Sequence, residues 1–309
     1  MSTFKLSDWR VALATALGAT ALLAACGGGG GGDPVGSPMV AATATSYSQG
    51  AITGFGSVFV GGVRYDDSGA TVADDDGGSH NNTALKLGMM VQVDGSNVNA
   101  AAGTATALRI RFGNEVLGPV GTVDTAASTV QVLGQTVLVT TSTVFDSTLA
   151  GGLAALTTGT VIEVHGIPDS VNNRIVATRI EAEAGATTYR LRGVISALDT
   201  TAKTFKIGSE LISFAGIDSA AVPTSMADGQ VVRVALQTTQ VSGAWVATKL
   251  RSGVRMPDTA RPDAHVEGVI TTFTSTASFV VNGLTVNAAN AIFPDGTAGI
   301  VLGARVEVH

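Results

Sequence analysis

The chain has 309 residues, a single cysteine, 39 glycines, 5% aromatic residues and a formal net charge of −6. A mildly acidic surface with few aromatics excludes a nucleic-acid binder built on cations and stacking rings, and one cysteine excludes an intramolecular disulfide framework. Charged residues make up 14% of the chain, well below the ~25% of ordinary domains, whereas its Val, Thr and Gly suit short strands joined by tight turns.

Residues 1–25 read as a signal peptide. Lys5 and Arg10 give a cationic start, and an apolar run from Val11 to Ala25 follows. That run falls short of the ~20 residues a spanning helix needs and ends in small residues, as a processed leader does. The sequence Leu23-Ala24-Ala25-Cys26 resembles the lipobox of bacterial lipoproteins. The resemblance implies that Cys26 carries diacylglycerol on sulfur and becomes the acylated N-terminus after cleavage, so the expected location is the cell envelope. Gly27 follows Cys26 in place of an aspartate, which points to the outer membrane. Loss of Lys5, Arg10 and Asp8 takes the mature charge to −7.

Residues 26–49 read as a flexible tether: six glycines, Gly27 to Gly32, then Asp33-Pro34 and small residues as far as Ser48. Such a composition cannot bury enough apolar surface to offset ordering. The polyglycine is no phosphate cradle, because no strand precedes it and no Lys-Ser/Thr follows.

Four modules come next, expected at 50–116, 117–186, 187–257 and 264–309. They open alike, with Gly54-Phe55-Gly56-Ser57-Val58, Gly121-Thr122-Val123, Gly193-Val194-Ile195 and Gly268-Val269-Ile270; the opening glycines are 67, 72 and 75 residues apart. Each continues with an alternating run broken at a glycine, as in Val130-Gln131-Val132-Leu133-Gly134-Gln135-Thr136-Val137, which predicts a hairpin. Asn282-Gly283 is the clearest of these turns. A third element places an apolar residue three before a glycine and then alternates, as in Leu85-Lys86-Leu87-Gly88-Met89-Met90-Val91-Gln92-Val93. Its valines share one face of a half-buried strand.

A closing strand ends three modules: Ala107-Leu108-Arg109-Ile110-Arg111, Ala177-Thr178-Arg179-Ile180-Glu181 and Ala247-Thr248-Lys249-Leu250-Arg251. The sequence stops at His309 before a fourth such strand, so module 4 reads as incomplete and the chain as truncated. About five short strands with a link between the third and fourth predict an all-β chain of tandem small Greek-key barrels of the OB type; small β-sandwiches are the alternative. Lipobox, polyglycine tether and repeated β modules together resemble an uncharacterised domain-of-unknown-function family repeated in Gram-negative bacterial lipoproteins. Its motifs are structural, and the resemblance implies no activity.

No catalytic constellation stands out. The histidines, His80, His165, His265 and His309, lack zinc-ligand spacing, and His165 and His309 read as exposed strand-end residues. Gly54-Phe55-Gly56-Ser57 precedes a strand and lacks the second glycine of a nucleophile elbow, so a bend is expected there. Asp74, Asp75 and Asp76, with Gly77-Gly78 behind them, form an acidic loop. Solvated charge is the first expectation, and Ca²⁺ ligation the alternative. Arg109, Arg179 and Lys249, with Arg111 and Arg251, recur on the closing strands and either blunt a sheet edge or line a ligand groove. The expected protein is not an enzyme and has no cofactor. It contacts the membrane through its lipid and acts as a structural or protein-contact scaffold, or alternatively recognises an envelope glycan or cell-wall polymer. No nucleic-acid partner is expected.

Overall fold

The computed structural model describes residues 4–6, 44–224, 226–253, 262–281 and 284–309. Cys26, nearly all of the leader, the tether to Thr43 and the Asn282-Gly283 turn lie outside the described residues.

Module 1 shows how the strands close. The first strand, Ser46–Gly54, runs antiparallel to Val58–Val60 and to Met90–Gly95. Val58–Val60 turns back into Val63–Asp66, and the closing strand Thr104–Phe112 lies parallel to Val63–Asp66 and antiparallel to Met90–Gly95. Around the barrel the order is first, second, third, fifth, fourth. Module 2 repeats it with Val116–Asp124, Thr129–Val132, Gln135–Leu138, Val161–Asp169 and Arg174–Ala182. Module 3 does so with Tyr189–Asp199, Thr204–Ile207, Glu210–Ser213, Val231–Val241 and Ala244–Ser252. These are five-stranded Greek-key barrels of the OB type. The link from third to fourth strand carries short 3₁₀ turns, Asn82–Ala84, Ser147–Leu149 and Ser219–Ala221, with the short strands Thr71–Asp74 and Ser79–His80 added in module 1 and Val144–Phe145 in module 2. Closure corrects the expectation that the closing strands are edges: each is paired on both sides.

The repeated apolar-x-x-Gly motif has one physical cause in all four modules. Gly88, Gly159, Gly229 and Gly303 share a positive φ of 80–88°, which glycine adopts without steric cost. Each donates its N–H to a carbonyl of the first strand: Ile52, Val120, Ile195 and Ile270, at 2.8–2.9 Å. The motif therefore pins the start of the fourth strand to the middle of the first. Beneath it, alternating valines and isoleucines such as Val91, Val93, Ile162, Val164, Val232 and Val234 are buried.

The modules also pack against one another. The first strands of modules 2 and 3 meet antiparallel, Leu117 opposite Arg190 and Val116 opposite Leu191. Their hairpin tips touch, with a methyl on Gly134 falling 2.5 Å from Ser209 Oγ, and they share one apolar core. The first strands of modules 1 and 4 run parallel, Ser46–Gln49 beside Asp263–Val266. Ala51 and Met90 of module 1, Ile167 of module 2 and Val269 of module 4 form a small cluster joining three modules. Module 4 consists of Asp263–Ser275, Ser278–Val281, Leu284–Asn287 and Arg305–Val308. Phe4–Leu6 lies parallel to Val306–Val308.

Candidate functional site: the polar seam between modules

The acidic loop reaches module 3. Asp76 accepts from Arg190 Nε at 2.7 Å and from Arg251 Nη2 at 3.0 Å, while Asp75 takes Arg233 by its side chain and Arg251 Nη1 by its carbonyl at 2.9 Å. Asp74 organises the loop itself, accepting the Asp76 and Gly78 amides at 2.8 Å each and standing 3.0 Å from His80 Nε2. Burial opposes its charge, but the hydrogen bonds from His80, Gly78 and Asp76 outweigh burial and hold the carboxyl below its usual range. The loop is thus paired rather than solvated charge. Two of its carboxylates face guanidinium groups, and among the described residues no cluster of three His, Cys, Asp or Glu could hold a metal ion.

A second layer lies underneath, where module 1 passes into module 2. Glu115 is 1% exposed and accepts from Arg192 Nη1 at 2.7 Å, while Arg192 Nε donates to the Gly253 carbonyl at 2.5 Å. His165 is fully buried rather than exposed, which corrects the sequence reading. Its Nδ1 is 3.1 Å from the Gly113 carbonyl and its Nε2 3.1 Å from Glu163 Oε1. Burial again opposes charge on Glu163, yet the His165 contact and the Asn114 hydrogen bond bring its pKa down to about 2. The residues from Gly113 to Val116 give the reason: the chain crosses between barrels there and needs partners for its polar groups.

Not all of the closing-strand cations reach a neighbouring module as Arg251 does. Arg109 Nε and Nη2 donate to Asp94 at 3.0 and 2.8 Å, and Arg111 lies 3.6 Å from the same carboxylate. Arg179 is buried, 2.6 Å from Glu181 and donating to the Leu87 carbonyl of module 1 at 3.1 Å; Lys86 of module 1 reaches Glu181 at 2.7 Å. Lys249 is exposed, opposite Ala235. The structure does not gather Arg109, Arg179 and Lys249 into one groove. Beside the acidic loop, Ser79, His80, Asn81, Thr83 and Ala84 border an open depression, with His80 edge-on to Phe112 at 5.0 Å. Sequence reasoning missed Glu115, Arg190, Arg192 and Arg233, which carry no local motif.

With this geometry in view, the sequence profile of a domain of unknown function, DUF5666, matches residues 49–111, 118–181 and 267–309. Those segments make up more than half of the 309 residues and fall on modules 1, 2 and 4. The chain belongs to the DUF5666 family. Module 3 falls between the second and third matched segments, yet it has the same strand order and the same pinned glycine, so it is a DUF5666-like barrel with a diverged sequence. No curated protein matches the chain. Among solved structures, "drosophila Unr CSD456" matches at 12% identity over 67% of this chain and 96% of that one, with a TM-score of 0.20. At that level of likeness the barrel assignment rests on strand order alone.

Proposed function

We propose that this DUF5666 chain is a lipid-anchored, non-enzymatic scaffold of the bacterial cell envelope, making protein contacts through the outer surfaces of a fixed set of barrels. One observation carries the reading: the charged side chains that could have formed a ligand site are engaged with each other across the seam, Asp75 and Asp76 on Arg190, Arg233 and Arg251, and Glu115 on Arg192. The anchor rests on the Leu23-Ala24-Ala25-Cys26 resemblance. Radioactive palmitate should label the wild type and not Cys26→Ala, and the variant should leave the membrane fraction. An unlabelled wild type whose Cys26→Ala variant stays in membranes would sink the anchor.

The glycan-binding alternative is separated by co-sedimentation with purified cell-wall and outer-membrane polysaccharides. The scaffold reading expects no saturable binding at high micromolar concentration. Saturable binding weakened by Lys249→Ala would favour a glycan-binding module. Lys249 is the informative position, because Arg109 and Arg179 are engaged with Asp94 and Glu181.

A further inference from the structure

Three arginines stand in one row across module 3. Arg192 on the first strand lies opposite Arg233 on the fourth, and Arg233 lies opposite Arg251 on the closing strand. Two residues along, on the same face, the next row holds Arg190, Ala235 and Lys249. Like charges directly opposite one another destabilise a sheet, so such a row needs anions over it. The pinned glycine sets the equivalent row in each sister module, and none of them repeats it. Module 1 has Gln49, Gln92 and Arg111; module 2 has Leu117, Glu163 and Glu181; module 4 has Glu267 opposite Glu307. The all-cation row belongs to the one module that the family profile does not match. Its cover comes from elsewhere in the chain. Glu115 takes Arg192, while Asp75 takes Arg233 and Asp76 takes Arg190 and Arg251. The two aspartates sit at the tip of a hairpin in which Thr71–Asp74 pairs with Ser79–His80 and with the closing strand of module 1. Among the described residues, no other link from third to fourth strand forms a hairpin. The cover is not sealed, since Arg251 is 42% exposed and Lys249 beside it is exposed.

We propose that the arginine row is a site for a soluble ligand carrying two or more adjacent phosphate groups, and that the acidic hairpin is its tethered occupant, which the ligand displaces. This goes beyond the scaffold reading and does not depend on the lipid anchor. Guanidinium forks match phosphate oxygens two at a time. Strands about 5 Å apart set the three arginines to grip adjoining phosphates. Asp75 and Asp76, neighbours in sequence, present two anions to the same guanidinium groups and so stand in for such a ligand. A tethered competitor acts at about millimolar effective concentration, so the wild type binds the free ligand weakly. Neutralising the two aspartates uncovers the site. Ligand bound to the wild type in turn frees the hairpin and loosens module 1 from module 3.

The test is isothermal titration calorimetry of the full chain with inorganic tripolyphosphate. The Asp75→Asn/Asp76→Asn chain should bind at least tenfold more tightly than the wild type, and adding Arg251→Met should cancel most of that gain. In the wild type, tripolyphosphate should speed amide hydrogen exchange in the Thr71–His80 hairpin, whereas sodium chloride at equal ionic strength should not. This exchange measurement decides the matter if the double variant fails to fold. Equal binding by variant and wild type, a gain that survives Arg251→Met, or a hairpin that responds alike to both salts would overturn the proposal. So would binding confined to phosphatidylglycerol vesicles, since a membrane surface would then be the partner.

Discussion

Gly113 stands where the chain leaves module 1 for module 2, and a methyl group there would lie 1.7 Å from Asp75 Oδ2 and 2.9 Å from Arg233 Nη1. The Asp75 carboxylate and the Arg233 guanidinium would have to shift, and with them the contact that links module 1 to module 3. Gly113→Ala should lower stability by about 1–3 kcal/mol, the usual cost of overpacking, read as a fall in the denaturant midpoint; an unchanged midpoint would count against this account of the seam. Arg192→Met leaves Glu115 buried without its guanidinium and should cost about 3–5 kcal/mol. Lys86→Met should cost about 0–1 kcal/mol, since that side chain is 46% exposed and Glu181 keeps Arg179. If the two methionine variants unfold at the same denaturant concentration, burial does not set the strength of these pairs. His165 shows why the sequence is a poor guide at this scale: it reads as a strand-end residue but lies in the middle of Val161–Asp169, and the Gly113 carbonyl beside it comes from 52 residues away.

Among elements, the strand patterns were legible because their causes are local. Alternating valines fix which face is inward, and a glycine at positive φ fixes the turn that starts each fourth strand. The same reading found module 3, which the family profile passes over. Pairings between modules were not legible, since nothing near Ser46–Gln49 marks Asp263–Val266 as its neighbour. That parallel seam holds His265, packed edge-on to His309 at 4.4 Å with Glu307, Asp263 and the Gly61 backbone nearby. Burial first, and then His309, lower the His265 pKa to about 4. A histidine whose folded pKa is depressed binds fewer protons than in the unfolded chain. Its contribution to stability is complete above pH ~6.5 and is lost as the pH falls from there to about 4. Thermal midpoints should therefore drop across that window, and more steeply in the wild type than in His265→Gln. Parallel pH profiles for the two proteins would remove His265 from the explanation.

At the scale of the whole molecule, contacts between modules are both apolar and charged. One apolar core spans modules 2 and 3, a small cluster ties modules 1, 2 and 4, and the acidic loop of module 1 engages three arginines of module 3. Single barrels of this size bury little surface and are marginal alone, so contacts between them decide whether the chain behaves as one unit or as a string. Differential scanning calorimetry of the full chain tests this most directly. The account predicts one unfolding transition for the four modules, with calorimetric and van't Hoff enthalpies in agreement. Separate transitions of single-module size, or a calorimetric enthalpy several times the van't Hoff value, would contradict it and leave the barrels as independent beads.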